Sequence, residues 1–224
     1  KRWQSAYELS NLMSDSTKIP TDQLFVNQLS KLYEKSIHDD SRIRTYLALA
    51  MGQTGNKVFC NNLIIGMTDQ YLENRIGAIK SLGMLNCEES IPHLNEIILS
   101  NKDNQERLAA VISLGLLRDQ SSIKFLSKVL DDEEANLRWD AAIALAKTGN
   151  KKGYPIIKKL LNRKYYSNYK EVDMIEINNS LLTALAIVSK YPDKIFYEEL
   201  KILSEDEKNI KIREFAMKIL AEYY

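Results

Sequence analysis

The chain has 224 residues, of which 45% are hydrophobic and 27% are charged, and its 31 basic and 30 acidic side chains leave a formal net charge of +1. This length and apolar content suffice for a buried core, and the composition is neither that of a disordered chain nor that of collagen. The near-neutral charge argues against a dedicated nucleic-acid or membrane binder, unless a local patch carries that role.

Neither a membrane span nor a signal peptide is predicted from the sequence. No run approaches the roughly 20 apolar residues of a membrane span, and the start of the chain lacks the pattern of a signal peptide. The two cysteines, Cys60 and Cys87, do not make a disulfide framework, and we expect two small buried thiols unless the fold brings them together. The cytoplasm is therefore the default location.

A stripe of apolar and small residues recurs along the chain, at offsets of 3, 4, 7 and 8 from an anchor residue. The stripe that follows Arg138 consists of Ala141, Ala142, Leu145 and Ala146. The anchors lie near positions 2, 44, 75, 107, 138, 178 and 213. Such offsets place the side chains on one face of an amphipathic helix. The pattern therefore predicts seven similar helices, which we call the first helices.

Glycine occupies the last position of the stripe in three consecutive repeats, at Gly52, Gly83 and Gly115. A glycine inside a helix costs about 1 kcal/mol relative to alanine, so its recurrence indicates that neighbouring helices approach closely. The alternative is that each helix is about to end, because Gly55 and Gly149 follow at places typical of helix C-caps.

A second apolar run follows most of the stripes after a polar break. These runs cover residues 22–36, 57–68, 90–100, 121–131, 153–163 and 193–204. Pro92 and Pro155 stand at the same distance after their anchors, where a proline in the first helical turn loses no hydrogen bond. Three capping patterns predict starts of first helices: Asp103-x-x-Glu106, Asp131-x-x-Glu134 and Ser204-x-x-Glu207. No stretch alternates with a period of two, so we predict no sheet.

Helix–turn–helix units of this length, with Arg-x-x-Ala-x-x-x-Leu-Gly on the first helix, resemble HEAT repeats. The pattern is most similar to the short bacterial HEAT-like repeats that also occur in phycobilin lyases, and it covers almost the whole chain. The resemblance implies an all-α fold, a right-handed α-solenoid of six to seven helix pairs in a single domain over residues 1–224. It also implies that the first helices line the convex side and the second helices the concave side.

The anchor position is an arginine in most repeats. These arginines are Arg44, Arg75, Arg107, Arg138 and Arg213. We predict a structural ladder in which they pair with acids of neighbouring turns, and a row of ligand-binding groups is the alternative. Trp3 and Trp139 share the next position, where we expect packing between helices and keep contact with a partner as the alternative.

Charge is distributed unevenly along the chain. Residues 120–170 have an excess of six positive charges, residues 171–224 have an excess of four negative charges, and no acid lies between Ala141 and Lys170. An insertion near 163–172 adds tyrosines to this basic stretch. The predicted contact zone consists of Lys152, Lys159, Arg163, Tyr165, Tyr166 and Tyr169. The alternatives are a solvated face that pairs with acids of the next repeat, such as Glu198 and Glu199, and a nucleic-acid site.

Signals of catalysis are weak. The two histidines, His38 and His93, have no cysteine or carboxylate at metal-ligand spacing, and nucleotide-binding and nucleophile motifs are missing. We predict no catalytic residue, no metal and no cofactor. We predict a non-enzymatic scaffold whose partner is another protein with an acidic segment. The alternatives are a nucleic-acid-binding or DNA-repair module that uses the basic 147–170 stretch and the adjacent Trp139 and Asp140, and a bilin lyase-like subunit.

Overall fold

In a computed structural model, which describes residues 2–100 and 103–224, the chain forms thirteen α-helices and no strand in those ranges. In chain order the helices are α1 (Arg2–Met13), α2 (Gln23–Lys35), α3 (Ser41–Gln53), α4 (Cys60–Gly66), α5 (Leu72–Met84), α6 (Ile91–Ile98), α7 (Asn104–Leu117), α8 (Ile123–Val129), α9 (Ala135–Lys147), α10 (Tyr154–Leu160), α11 (Met174–Lys190), α12 (Tyr197–Asp206) and α13 (Ile210–Tyr223). The seven anchors all lie in the odd-numbered helices, which are the predicted first helices. None of the helices in those ranges is long and apolar enough to cross a membrane.

The chain divides into two compact units, Lys1–Leu126 and Ser127–Tyr224. Within each unit, helix pairs stack on their neighbours, which is the packing of an α-solenoid. The predicted all-α fold class is therefore confirmed. The right-handed superhelix and the single domain over residues 1–224 stay predictions.

In the first unit the first helices pack side by side. Helix α3 packs between α1 and α5, and α5 packs against α7. Each of the helices α2, α4 and α6 contacts the first helix that follows it in the chain. The stripe residues fill the interfaces, and Leu47, Leu82 and Leu114 are fully buried.

The recurrent glycines lie where neighbouring first helices approach most closely. A Cβ atom on Gly52 would lie 2.7 Å from the Cβ of Ser81, and one on Gly83 would lie 2.8 Å from the Cα of Ser113. Ser113 Oγ also donates a hydrogen bond to the carbonyl oxygen of Ile79, at 2.9 Å. The close approach is therefore confirmed for these two glycines.

Cys60 and Cys87 form a disulfide inside the first unit, so the expectation of two free thiols was wrong. Cys60 begins α4, and Cys87 precedes the short 3-10 helix that leads into α6. The two Cα atoms lie 5.8 Å apart, which is an ordinary separation for a disulfide. The sequence left this pairing open because it depends on how the start of one helix pair meets the start of the next.

In the second unit α11 packs against both α9 and α13, α10 lies against α9 and α11, and α12 lies against α13. The predicted insertion forms a 3-10 helix, Arg163–Asn168, rather than a loose loop. Tyr166 is 2% exposed and donates a hydrogen bond to the carbonyl oxygen of Leu160 at 2.9 Å. The insertion is therefore anchored in the core of this unit by Tyr166.

The predicted helix starts are partly right. Pro92 and Pro155 lie in the first turns of α6 and α10, and Asp103 caps α7. Ser204, however, lies inside α12, and Asn209 caps α13. The pattern Asp131-x-x-Glu134 also failed, because α9 begins after Glu134 without a side-chain cap. A hydroxyl or acid followed by glutamate three residues later also fits a helix interior, so the pattern alone is not decisive.

Candidate functional site

The anchor arginines bind the backbone of the turns before their own helices. Arg75 Nη1 donates to the carbonyl oxygen of Asp69 at 2.9 Å, and Arg138 Nη1 donates to that of Asp132 at 2.6 Å. Arg213 repeats this bond with Glu207 at 3.0 Å. In each case the acceptor lies six residues before the arginine. Arg107 Nη2 also donates to a backbone carbonyl oxygen, that of Ile98, nine residues earlier, at 3.1 Å.

Several of these arginines also reach a side chain of the next repeat. Arg44 Nε lies 2.8 Å from Asp69 Oδ2, and both side chains are nearly fully buried. Arg75 forms two hydrogen bonds of 3.1 Å with the buried carboxylate of Glu106. Arg138 Nη2 donates to the hydroxyl of Tyr169 at 3.0 Å. This geometry supports the predicted structural ladder, because the donors are used inside the fold.

The predicted contact zone contains both surface and buried side chains. Lys152 and Lys159 are exposed, whereas Tyr166 is buried. Arg163 binds the carboxylate of Glu207, with Nε and Nη2 at 2.8 Å and 3.0 Å from its two oxygens. Tyr165 and Tyr169 are half-buried. The zone is thus one segment of chain rather than one exposed face.

Three tyrosines of the insertion surround Trp139, which is 7% exposed. The rings of Tyr165, Tyr166 and Tyr169 meet the indole edge-on at 5.1 to 6.2 Å between centroids. The indole Nε1 donates to the Tyr165 hydroxyl at 3.2 Å, and that hydroxyl lies 2.9 Å from the hydroxyl of Tyr169. The packing interpretation of Trp139 is therefore confirmed. The aromatic cluster also fixes the orientation of the indole.

A cavity of about 600 Å³ lies between the start of α9 and the start of α11. Its aromatic wall consists of Trp139 and Tyr169, and four carboxylates line it. We call it the acidic pocket, and its acids are Glu133, Glu134, Glu171 and Glu176. A smaller cavity of about 190 Å³ shares Trp139 and Asn179 with it and reaches Asp140. We call this the Asp140 cavity. No Lys, Arg or His is among the lining residues of either cavity in the described ranges.

Asp140 is a half-buried carboxylate that makes no hydrogen bond or ion pair with any described residue. Burial raises its pKa to about 6, and the positive charge of Lys147 lowers it only in part. The same repeat position is Gly77 and Ala109 in the two preceding repeats. An alignment of the repeats on their anchor residues would have shown an acid at this position. From the sequence, Asp140 was named only as the neighbour of Trp139.

A second groove lies in the first unit, between α4 and α6. It has a volume of about 550 Å³, and its lining is mostly aliphatic. Ile65 is 67% exposed there, and His93 and Glu96 stand on the α6 side. Among the described residues, no group of three or more His, Cys, Asp or Glu is placed to hold a metal ion.

Stacked helix pairs with an anchored arginine column define an α-helical repeat protein. Residues 91–172 match the family model of HEAT repeats. The resemblance to HEAT repeats found in the sequence is therefore confirmed for these residues. No curated protein matches the chain in sequence.

Solved structures share this fold at low sequence identity. The complex of CpcE and CpcF of phycocyanin lyase from Nostoc sp. PCC7120 matches with a TM-score of 0.65 and 17% identity, over 99% of this chain and 81% of that one. One engineered protein matches with a TM-score of 0.50 and 15% identity, over 84% and 90% of the two chains. Another engineered protein matches with a TM-score of 0.52 and 17% identity, over 98% of this chain and 63% of that one. At these identities the similarity shows the fold alone.

Proposed function

We propose that the chain is a non-catalytic scaffold that binds an acidic segment of another protein through its basic stretch. The observation that carries this proposal is a set of exposed lysines without counter-charges. Lys152, Lys159 and Lys164 are exposed, and none has an ion-pair partner among the described residues. We call these three residues the lysine surface.

The acids of the neighbouring repeat neutralise only part of the basic stretch. Lys151 pairs with Asp193 at 2.8 Å, and Arg163 pairs with Glu207. The expected partners Glu198 and Glu199 make no ion pair with a described residue. The lysine surface thus keeps its charge for solvent or for a ligand. Complementary charge speeds association and excludes wrong partners, which suits a protein-binding surface.

The geometry assigns different roles to the predicted contact residues. Lys152 and Lys159 can meet a partner directly. Arg163 and Tyr166 are engaged within the fold and hold the insertion in place, while Tyr165 and Tyr169 are half-buried. We therefore replace Arg163 by Lys164 as the third cation of the proposed contact.

Charge reversal of the lysine surface tests the proposal. The partner is first isolated from native cells by affinity purification and identified by mass spectrometry, and its purified form is then titrated. We expect Lys152→Glu, Lys159→Glu and Lys164→Glu together to lower its affinity at least tenfold. The matched control changes three exposed lysines elsewhere in the second unit: Lys208→Glu, Lys211→Glu and Lys218→Glu. Unchanged affinity in the first variant would overturn the proposal.

The two alternatives make different predictions in the same assays. A nucleic-acid module would bind duplex or single-stranded DNA with an affinity that falls steeply with salt, and the lysine-surface variant would lose it. A bilin lyase-like subunit would promote attachment of a bilin to a phycobiliprotein subunit. Either result would contradict a purely protein-binding scaffold. The cytoplasmic location stays a prediction, and the disulfide weighs against it because disulfides are typical of oxidising compartments.

A further inference from the structure

We propose that the acidic pocket and the Asp140 cavity together bind an arginine side chain from a basic segment of a protein partner. The guanidinium would sit against Asp140, and the neighbouring basic residues would meet the glutamates of the acidic pocket. This inference rests on the proposed function of protein binding, but it assigns a second surface with the opposite charge preference.

The charge of the lining selects a cation. Five carboxylates line the two cavities, and none of them has an ion-pair partner among the described residues. Glu176 accepts a hydrogen bond from the backbone N–H of Asp173 at 3.1 Å, which fixes its position at the start of α11. Several like charges around one concave surface raise the local concentration of cations. An anionic ligand would meet only repulsion there.

The floor of the site supplies acceptors that the fold leaves unused. Asp140 has no hydrogen-bond partner in the described ranges, and the side chains of Asn136, Asn179 and Thr183 make no hydrogen bond there either. A half-buried carboxylate without a partner is costly to keep, because its desolvation is not compensated. A ligand that donates hydrogen bonds to Asp140 removes that cost.

A guanidinium fits these acceptors better than an ammonium does. It is planar and always charged, and its forked donors match both oxygens of one carboxylate. It is also more weakly hydrated than an ammonium, so it enters a partly buried site more readily. Trp139 and Tyr169 line the acidic pocket, so the guanidinium would meet aromatic side chains as well as carboxylates.

The walls of the site are held in place before any ligand arrives. Arg138, which precedes Trp139 in the chain, donates to the carbonyl oxygens of Asp132 and Glu133 and to the Tyr169 hydroxyl. The indole of Trp139 is oriented by its bond to Tyr165. Preorganised walls reduce the entropy that binding must overcome.

The test uses Trp139 as the reporter in a Trp3→Phe background, because the chain has only two tryptophans. The probe is the capped pentapeptide Lys-Gly-Arg-Gly-Lys, and binding is followed by tryptophan emission and by calorimetry. We expect saturable binding that weakens at least fivefold when the arginine is replaced by citrulline, its neutral isostere. Replacement by lysine should also weaken binding.

Asp140→Asn should weaken binding of the arginine peptide at least tenfold, whereas Glu205→Gln, at an exposed acid outside both cavities, should change it less than twofold. No saturable binding by either method, or equal binding by Asp140→Asn, would overturn the inference. The partner titration separates the two proposals. If the lysine-surface variant loses the partner and Asp140→Asn keeps it, the scaffold proposal stands and this inference fails.

Discussion

Asp140 is the one acid among the seven residues that stand two positions after the anchors. In the two preceding repeats the position is Gly77 and Ala109, whose side chains have no polar atom. An acid there loses hydration, and its pKa rises to about 6. The inference about arginine binding rests on the place of this carboxylate in a cavity and on its lack of a hydrogen-bond partner among the described residues.

The raised pKa of Asp140 predicts a pH-dependent stability. The folded state binds this proton more tightly than the unfolded chain, so stability falls as pH rises from about 4 to about 6 and the loss is complete above that range. We expect Asp140→Asn to raise the free energy of unfolding by about 1–3 kcal/mol at pH 7.5 and by almost nothing at pH 4. Urea titrations at both pH values measure this difference, with Glu205→Gln as the control. An equal difference at both pH values would contradict the explanation.

The arginine column was predictable from the sequence, but its hydrogen bonds were not. Recurrence of the anchor at near-regular spacing identified Arg75 and Arg138 as equivalent residues. Their acceptors are backbone carbonyls six residues earlier, and a backbone acceptor leaves no signal in the sequence. The position of Tyr166 was equally hidden, because its burial depends on the 3-10 helix that the insertion forms.

At the scale of the helix, the glycine column sets the distance between neighbouring first helices. Gly52 faces Ser81, and Gly83 faces Ser113. Each serine hydroxyl donates to a carbonyl oxygen of the helix that contains the facing glycine, Ala48 in α3 and Ile79 in α5. Small residues at facing positions allow this approach. The recurrence of one residue type in one column predicted the close contact correctly.

The contact at Gly83 predicts a destabilising substitution. A Cβ atom would lie 2.8 Å from the backbone Cα of Ser113, so α5 and α7 must move apart in Gly83→Ala. Overpacking costs about 1–3 kcal/mol, while the better helix propensity of alanine returns about 1 kcal/mol. Because the contact is with backbone, which cannot rotate away, we expect a cost at the upper end of that range and a net loss of about 2 kcal/mol in urea unfolding.

The neighbouring residue Met84 provides the control for that substitution. Met84 is 46% exposed, and Met84→Ala should change stability by less than about 0.5 kcal/mol. If Gly83→Ala were as stable as the wild type, close helix packing would not explain the recurrent glycines, and helix termination would be the better explanation. Gly55 and Gly149 already serve that purpose, with φ angles of +68° and +78°.

Helix ends were harder to predict than helices. All seven first helices lie where the stripes placed them, because a stripe of apolar positions spans several turns. A cap depends on one side chain and one backbone N–H, and the same residue pattern occurs inside α12. The capping box that does occur, Asp173 with Glu176 at the start of α11, was not predicted.

At the scale of the whole molecule, the chain consists of two units that each bury their own core. The first unit contains the disulfide, and the second contains the aromatic cluster, the lysine surface and both cavities of the proposed arginine site. The sequence predicted the repeats of both units. It did not predict the division between them, because the repeat pattern continues across Leu126.

The disulfide should make the stability of the first unit depend on redox conditions. It closes a loop between residues 27 apart, and a cross-link of that span stabilises by about 3 kcal/mol through the loss of unfolded-state entropy. We expect a reductant to lower the unfolding midpoint of the wild type. The double variant Cys60→Ala, Cys87→Ala should unfold at the same midpoint with and without reductant. A midpoint of the wild type that is insensitive to a reductant able to cleave the bond would contradict this expectation.

The charge distribution gives the second unit two surfaces with opposite preferences. The near-zero net charge of the chain conceals them, because the excess of positive charge before residue 170 is offset by acids after it. Only part of that offset is made through ion pairs within the fold, such as Arg163 with Glu207. The remaining charges are the basis for the two proposed partner contacts.

The central claim is that this α-helical repeat protein binds a protein partner through the lysine surface. Its most direct test is the dissociation constant of the purified partner for the wild type and for the triple variant Lys152→Glu, Lys159→Glu, Lys164→Glu, measured in an excess of duplex DNA. The account predicts that DNA does not compete and that the triple variant binds at least tenfold more weakly than the wild type. Equal dissociation constants for the two proteins, or displacement of the partner by DNA, would contradict it.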